Sequence, residues 1–146
     1  MKISTKGRYG LRVIMELARN YGQGPLSADI ISQNQDISKK YIHLIVMELK
    51  STGLIRAVRG PGGGYELAKT PSSITAMDVF SALEGRILPV DCVAEASACR
   101  RAERCAARDV WCDLAVAAER VLSEITLQQL SAKQLAKECA AINYYI

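Results

Sequence analysis

The run Arg59-Gly60-Pro61-Gly62-Gly63-Gly64 narrows the possible folds of this chain more than any other feature. No regular helix passes through it, because proline lacks the N–H that continues a helix and consecutive glycines lose the most backbone entropy on ordering. Two short apolar runs flank it, Leu54 to Val58 and Tyr65 to Ala68. The segment therefore reads as a β-hairpin with a flexible tip poor in side chains. It is not a phosphate loop: it lacks the Lys-Ser/Thr pair and the GxGxxG spacing, and it precedes a strand rather than a helix. Glycines let a backbone approach another surface closely, and the lone arginine at this tip suits insertion into a narrow minor groove.

What precedes the hairpin explains what that surface is. A first helix is expected from about Lys6 to Asn20, capped by Ser4 or Thr5, with Leu11, Ile14, Met15, Leu17 and Ala18 as its apolar stripe. Gly22, Gly24 and Pro25 end it. Ser27 caps a short helix through about Asn34, and Ser38 caps a third over Lys39 to Ser51, stopped by Gly53. Two short helices joined by a tight turn make a helix-turn-helix. In the third helix Ile42, Ile45, Val46 and Leu49 can face the core, which leaves Lys39, Lys40, His43, Met47 and Lys50 opposite, where a recognition helix meets DNA. The expected DNA-binding set is Lys6, Arg8, Ser38, Lys39, Lys40, Tyr41 and His43, with Arg59, Gly60, Pro61, Gly62 and Gly63 from the hairpin tip. Near the start of the recognition helix, His43 is the position expected to decide sequence choice.

Charge supports this reading. Residues 1 to 70 carry eleven Lys/Arg against five Asp/Glu, net +6, whereas residues 71 to 146 carry eight against ten, net −2. A basic N-terminal half with a slightly acidic C-terminal half suits a nucleic-acid reader joined to a sensing or dimerising part. The hydrophobic content of 49% in 146 residues is enough for one substantial core. No apolar run approaches the ~18 residues of a membrane span, and a cytoplasmic location with no membrane partner is expected.

The second half adds chemistry. Pro71 breaks the chain, and Thr75-Ala-Met-Asp78 resembles a capping box opening a helix that ends near Gly85. Cys92, Cys99 and Cys105 then fall in a polar, charge-rich stretch. Their spacings are too wide for a zinc knuckle. They suit a larger object, and an iron-sulfur cluster held largely by thiolates is the natural candidate. Free surface thiols or a disulfide are the alternative, although three exposed thiols in one loop are an oxidation hazard unless something binds them.

From about Ala106 to Ile125 a long helix carries Val110, Leu114, Ala117, Val121 and Ile125 at spacings of four, three, four and four, a narrow stripe suited to pairing with a second copy or to packing on the chain's own N-terminal domain. A turn or short helix is expected from Thr126 and another over Ser131 to Ala141, with Asn143-Tyr144-Tyr145-Ile146 ambiguous.

Together these parts are mainly α: a winged helix-turn-helix domain with a two-stranded β wing over residues 1–72, then a cysteine loop and a long dimerisation helix over residues 73–146. The chain resembles the winged-helix iron-sulfur cluster regulators of the IscR type over nearly its whole length. Met1-Lys-Ile-Ser-Thr-Lys-Gly-Arg-Tyr-Gly10 is similar to that family's opening, Arg59 to Tyr65 to its wing, and Cys92, Cys99, Cys105 with Trp111 to its cluster loop and following helix. The resemblance implies a homodimer that holds a [2Fe-2S] cluster in each subunit, binds a pseudo-palindromic double-stranded DNA operator and controls cluster-assembly genes. One departure stands out. The family's histidine, three residues after the third cysteine, is here Arg108, which stays protonated and cannot ligate. The fourth ligand is therefore open among Cys112, Glu103, Asp109 and a group from the other subunit.

Two other functions share these features. A regulator of the same fold could detect nitric oxide or oxidants, or work with a partner from cysteine synthesis. A small iron-sulfur carrier or redox enzyme could use the same thiolates, but the lone histidine and the lack of a base beside the thiolates argue against an enzyme.

Overall fold

Three serines start the three N-terminal helices. In the computed structural model Ser4, Ser27 and Ser38 each accept a hydrogen bond from the backbone N–H three residues on, at 3.1, 3.3 and 3.4 Å. They open α1 (Thr5–Arg19), α2 (Ala28–Gln35) and α3 (Lys39–Ser51). The structure describes residues 3–86 and 88–144, the last three as backbone only, so Met1, Lys2, Ile87, Tyr145 and Ile146 lie outside the described residues. Asp36 makes the turn between α2 and α3 in the left-handed region, φ 51°, which a short polar side chain tolerates better than most.

The wing is an antiparallel pair, β1 (Ile55–Val58) and β2 (Gly64–Leu67), in the register Ile55↔Leu67 through Val58↔Gly64. At its tip the N–H of Gly63 donates to the Gly60 carbonyl at 2.9 Å. Pro61 and Gly62, φ +75°, occupy the two central positions, as a type II turn requires. Tyr65 also bridges Leu26, its N–H donating to the Leu26 carbonyl at 2.8 Å, so the segment before α2 is tied to the wing at this one residue pair. This close approach demands glycine at position 64, where a Cβ would stand 2.2 Å from the Leu26 carbonyl oxygen. Gly64→Ala should cost about 1–3 kcal/mol of stability, because the obstacle is backbone that cannot rotate aside. Equal urea midpoints for variant and parent would show that the wing yields there.

Past the wing, the capping box forms as expected: Asp78 N–H donates to Thr75 Oγ1 at 3.1 Å and Thr75 N–H to Asp78 Oδ2 at 2.8 Å, opening α4 (Ala76–Glu84). Helix α4 lies close against α1 because α1 presents glycine: a Cβ at Gly10 would come within 2.0 Å of Leu83 Cδ1. A short helix α5 (Asp91–Ala94) and two 3-10 turns lead into α6 (Ala106–Glu124), and α7 (Leu127–Tyr144) returns beside α1.

The expected break between a turn at Thr126 and a separate helix from Ser131 is absent. Thr126 and Gln129 instead cap each other reciprocally, Thr126 N–H to Gln129 Oε1 at 2.9 Å and Gln129 N–H to Thr126 Oγ1 at 3.3 Å, and one helix runs on through Tyr144.

One core joins these elements. Val13, Ile14 and Leu17 of α1 meet Ile31, Ile42, Ile45, Val46 and Leu49 of the helix-turn-helix, and Ile74, Val79, Leu83 and Leu127 extend the same cluster past residue 72. Leu11 and Met15, expected in the α1 stripe, lie at its edge, partly buried, while Val13 is fully buried.

Candidate nucleic-acid interface and cysteine loop

Helix α3 buries Ile42, Ile45, Val46 and Leu49 as expected and turns Lys39, Lys40, His43, Met47 and Lys50 to solvent. The charges on that face are not equally free. Lys39 pairs with Asp29 of α2, and Lys6 pairs with Glu48 at 2.8 Å, whereas Lys40 meets no carboxylate among the described residues. Such exposed pairs are worth little and open readily, but each carboxylate must be displaced or tolerated when a phosphate approaches. Arg8 donates to Thr5 Oγ1 at 3.2 Å. Tyr41 is half-buried, its ring edge-on to Tyr9 at 5.8 Å between centroids. Ser38, expected as a DNA contact, also has the structural task of capping α3.

His43 faces the wing. Its Nδ1 lies 3.4 Å from the Tyr65 hydroxyl, a long hydrogen bond that joins recognition helix to hairpin and leaves Nε2 uncommitted. The wing tip is exposed, with Arg59 at its base and Gly60, Pro61 and Gly62 beyond it, while Gly63 is half-buried. Behind it Arg56 and Glu66 pair across the strands at 2.8 Å.

A second polar assembly ties the helix-turn-helix to the C-terminal helix. Glu16, buried in α1, accepts hydrogen bonds from Asn34 at 2.6 Å and Gln35 at 2.9 Å, at the end of α2. One turn on, Arg19 makes two parallel hydrogen bonds to the Glu138 carboxylate of α7, at 3.0 and 2.9 Å. These groups line a cleft of about 330 Å³. Local pattern did not reveal it, because its members are 122 residues apart from first to last.

The cysteines punctuate the loop before α6. Cys92 is in α5, Cys99 ends the 3-10 turn Ala96–Ala98, and Cys105 ends the turn Ala102–Arg104 and is the N-cap residue of α6. All five cysteines are free thiols, with Cys99 and Cys139 exposed and Cys92, Cys105 and Cys112 half-buried. Arg108, one turn into α6, donates from Nε to the Cys92 carbonyl at 2.8 Å and so ties the two ends of the loop together. Among the described residues, no three cysteine, histidine or carboxylate side chains are gathered closely enough to hold a metal ion.

Beyond the loop, α6 leaves an apolar face uncovered. Val110, Leu114 and Val121 are 58%, 41% and 50% exposed, and none of the helix is fully buried. Leu114, Ala117, Ala118, Val121 and Leu122 line a groove of about 320 Å³ floored by Ile3 and Phe80. The stripe expected from the sequence is thus not consumed by the chain's own N-terminal half. Among the described residues no helix is long and apolar enough to cross a membrane.

Comparison with known proteins agrees with this architecture. A family model for Rrf2, described as an iron-dependent transcriptional regulator, matches residues 3–133. The HTH-type transcriptional regulator CymR of Bacillus subtilis is 40% identical over 131 residues, covering 90% of each chain. The HTH-type transcriptional regulator IscR of Klebsiella pneumoniae is 35% identical over 130 residues, 89% of this chain and 79% of that one. Among solved structures, CymR, the global cysteine regulator of B. subtilis, superimposes with a TM-score of 0.78 at 38% identity, over 91% of this chain and 98% of its own. IscR of T. potens gives 0.76 at 31% identity, over 92% and 88%. A helix-turn-helix with its wing, set on a core shared with the C-terminal helices, is therefore found with matching sequence along almost the whole chain, which belongs to the Rrf2 family of DNA-binding transcriptional regulators.

Proposed function

We propose that this regulator works as a homodimer on a pseudo-palindromic operator and adjusts its binding to a [2Fe-2S] cluster held by Cys92, Cys99 and Cys105, controlling genes for cluster assembly. The observation that carries this reading is the placement of three free thiols on one loop that ends at the N-cap of the helix bearing the uncovered apolar stripe. In kind, these donors fit a thiolate-held cluster at three positions. At the fourth the fit is incomplete, since Arg108 is engaged with the main chain and cannot ligate. When bound, the group supplies thiolate–iron bonds whose loss under oxidants or iron shortage is the signal. The chain's own residues do the rest. Arg108 keeps the Cys92 end of the loop against α6, α6 packs on α4, and α4 packs on α1 and α3, so a change in the loop has a packed route to the recognition helix.

A second reading is favoured by the 40% identity to CymR, the global cysteine regulator of B. subtilis: control of cysteine metabolism through a protein partner, with no cluster. Operator duplexes selected from a random pool separate the two. The anaerobic full-length protein should change its operator affinity on loading with iron and sulfide, and a variant with Cys92, Cys99 and Cys105 all replaced by serine should not. A parent protein whose operator affinity is unmoved by iron and sulfide, like the variant's, would favour the cysteine-metabolism reading.

In the DNA complex, Arg59 enters the minor groove beside α3, and Arg59→Ala should weaken binding and reduce the preference for a narrow A/T-rich flank. Lys40, which meets no carboxylate among the described residues, contacts phosphate: Lys40→Ala should weaken all sequences nearly alike and lower the salt slope by about one unit. Lys39→Ala should do less, because its ammonium already has Asp29. Binding titrations over a range of salt check all three, and an Arg59→Ala effect independent of flank sequence would remove the minor-groove contact.

A further inference from the structure

The outermost ridge of α3 is apolar where a DNA-reading helix is usually polar. At 3.6 residues per turn, the buried set Ile42, Ile45, Val46 and Leu49 defines one side of the helix, and Lys40, Leu44, Met47 and Ser51 run along the line diametrically opposite. His43 and Lys50 fall on the flank toward the wing, where the Tyr65 hydroxyl meets His43. Leu44 is 45% exposed and Met47 72% exposed, and at a spacing of three they are neighbours on the helix surface. No described element of the chain covers them. Lys40 and Lys50, placed a turn before Leu44 and just beyond Met47, supply positive charge suited to the phosphates on either side.

An apolar side chain at the centre of a major-groove interface has one complementary feature to meet. Leucine and methionine neither donate nor accept usefully, so the acceptor and donor edges of guanine, cytosine and adenine offer them nothing and are desolvated against them. The thymine 5-methyl group is the single apolar element that the groove displays. We propose that Leu44 and Met47 are specificity determinants that read thymine methyl groups in each half-site, while His43, held by the wing, reads at the flank. This rests on α3 being the recognition helix.

The test uses full-length protein and its selected operator duplexes. Each thymine in a half-site is replaced singly by deoxyuridine, which keeps every base-pairing and hydrogen-bonding group and removes only the methyl. Losing one buried methyl is worth roughly a fourfold change in affinity. Roughly fourfold weaker binding is expected at one or two thymines per half-site, with Leu44→Ala abolishing the sensitivity at one and Met47→Ala at its neighbour. Both positions are outside the core, so the variants should unfold at the parent's temperature. Sequence-selective binding that is indifferent to every deoxyuridine would overturn the proposal, as would methyl sensitivity unchanged in both variants. Failure to select any preferred duplex would overturn the assignment of α3 itself, and this proposal with it.

Discussion

A chain carrying Leu114→Asp and Val121→Asp is expected to sediment as a monomer at micromolar concentration and to lose operator affinity by roughly 10²–10⁴. Both side chains belong to the stripe that α6 leaves uncovered, and both line the groove over Ile3 and Phe80. In a two-fold dimer each substitution occurs twice in one self-complementary patch. An unpaired carboxylate buried there costs several kcal/mol, far more than the apolar contact it replaces. Operator binding falls further because two half-sites are no longer engaged by one particle. The monomer itself should keep its helix content, since these residues are not part of the core that joins α1, α3 and α4. A double variant that still sediments as a dimer would place the subunit contact elsewhere.

The second large effect concerns the loop. If the loop holds the proposed cluster, replacing Cys92, Cys99 or Cys105 singly with alanine should abolish the visible absorption of anaerobic protein, because with the fourth position already lacking a histidine such a cluster would not survive the loss of another strong ligand. Cys139→Ala should leave it intact: that thiol is exposed on α7, well outside the loop in sequence. Cys112→Ala distinguishes the candidates for the fourth position. Cys112 lies two turns into α6, a rise of about 10.5 Å from Cys105 along the axis, so loss of colour in that variant would require the start of α6 to unwind.

What the sequence made legible was mostly local. Serine and threonine caps, the glycine after α3 and the glycine-proline tip of the wing are short-range signals, and the elements they bound lie within a residue or two of expectation. The core face of α3 was equally plain, because four apolar residues on one side of a helix leave few ways to pack it. Long-range pairings were not legible. Lys39 with Asp29, Lys6 with Glu48, and Arg19 with Glu138 join residues on different helices, and nothing in local pattern marks which lysine of an exposed face will find a carboxylate. The continuity of α7 is only half legible: Thr126-Leu-Gln-Gln129 is a capping box, but the helix it opens is too polar for periodicity to announce. The exposure of Leu44 is obscured for the opposite reason. An apolar residue in an amphipathic helix is assumed to be core unless its angle around the axis is worked out. At the cysteine loop the thiols and the departure at Arg108 were visible in the chain, whereas the bond from Arg108 to the Cys92 carbonyl, sixteen residues away, needed the fold.

The direct test of cluster-dependent regulation is chemical. Full-length protein purified without oxygen, or reconstituted anaerobically with iron and sulfide, should contain iron and acid-labile sulfide in equal amounts, absorb in the visible, and lose both when Cys92, Cys99 or Cys105 is replaced by alanine. Protein that stays colourless and free of iron and sulfide after reconstitution, while still binding its selected operator with full affinity, would contradict the account.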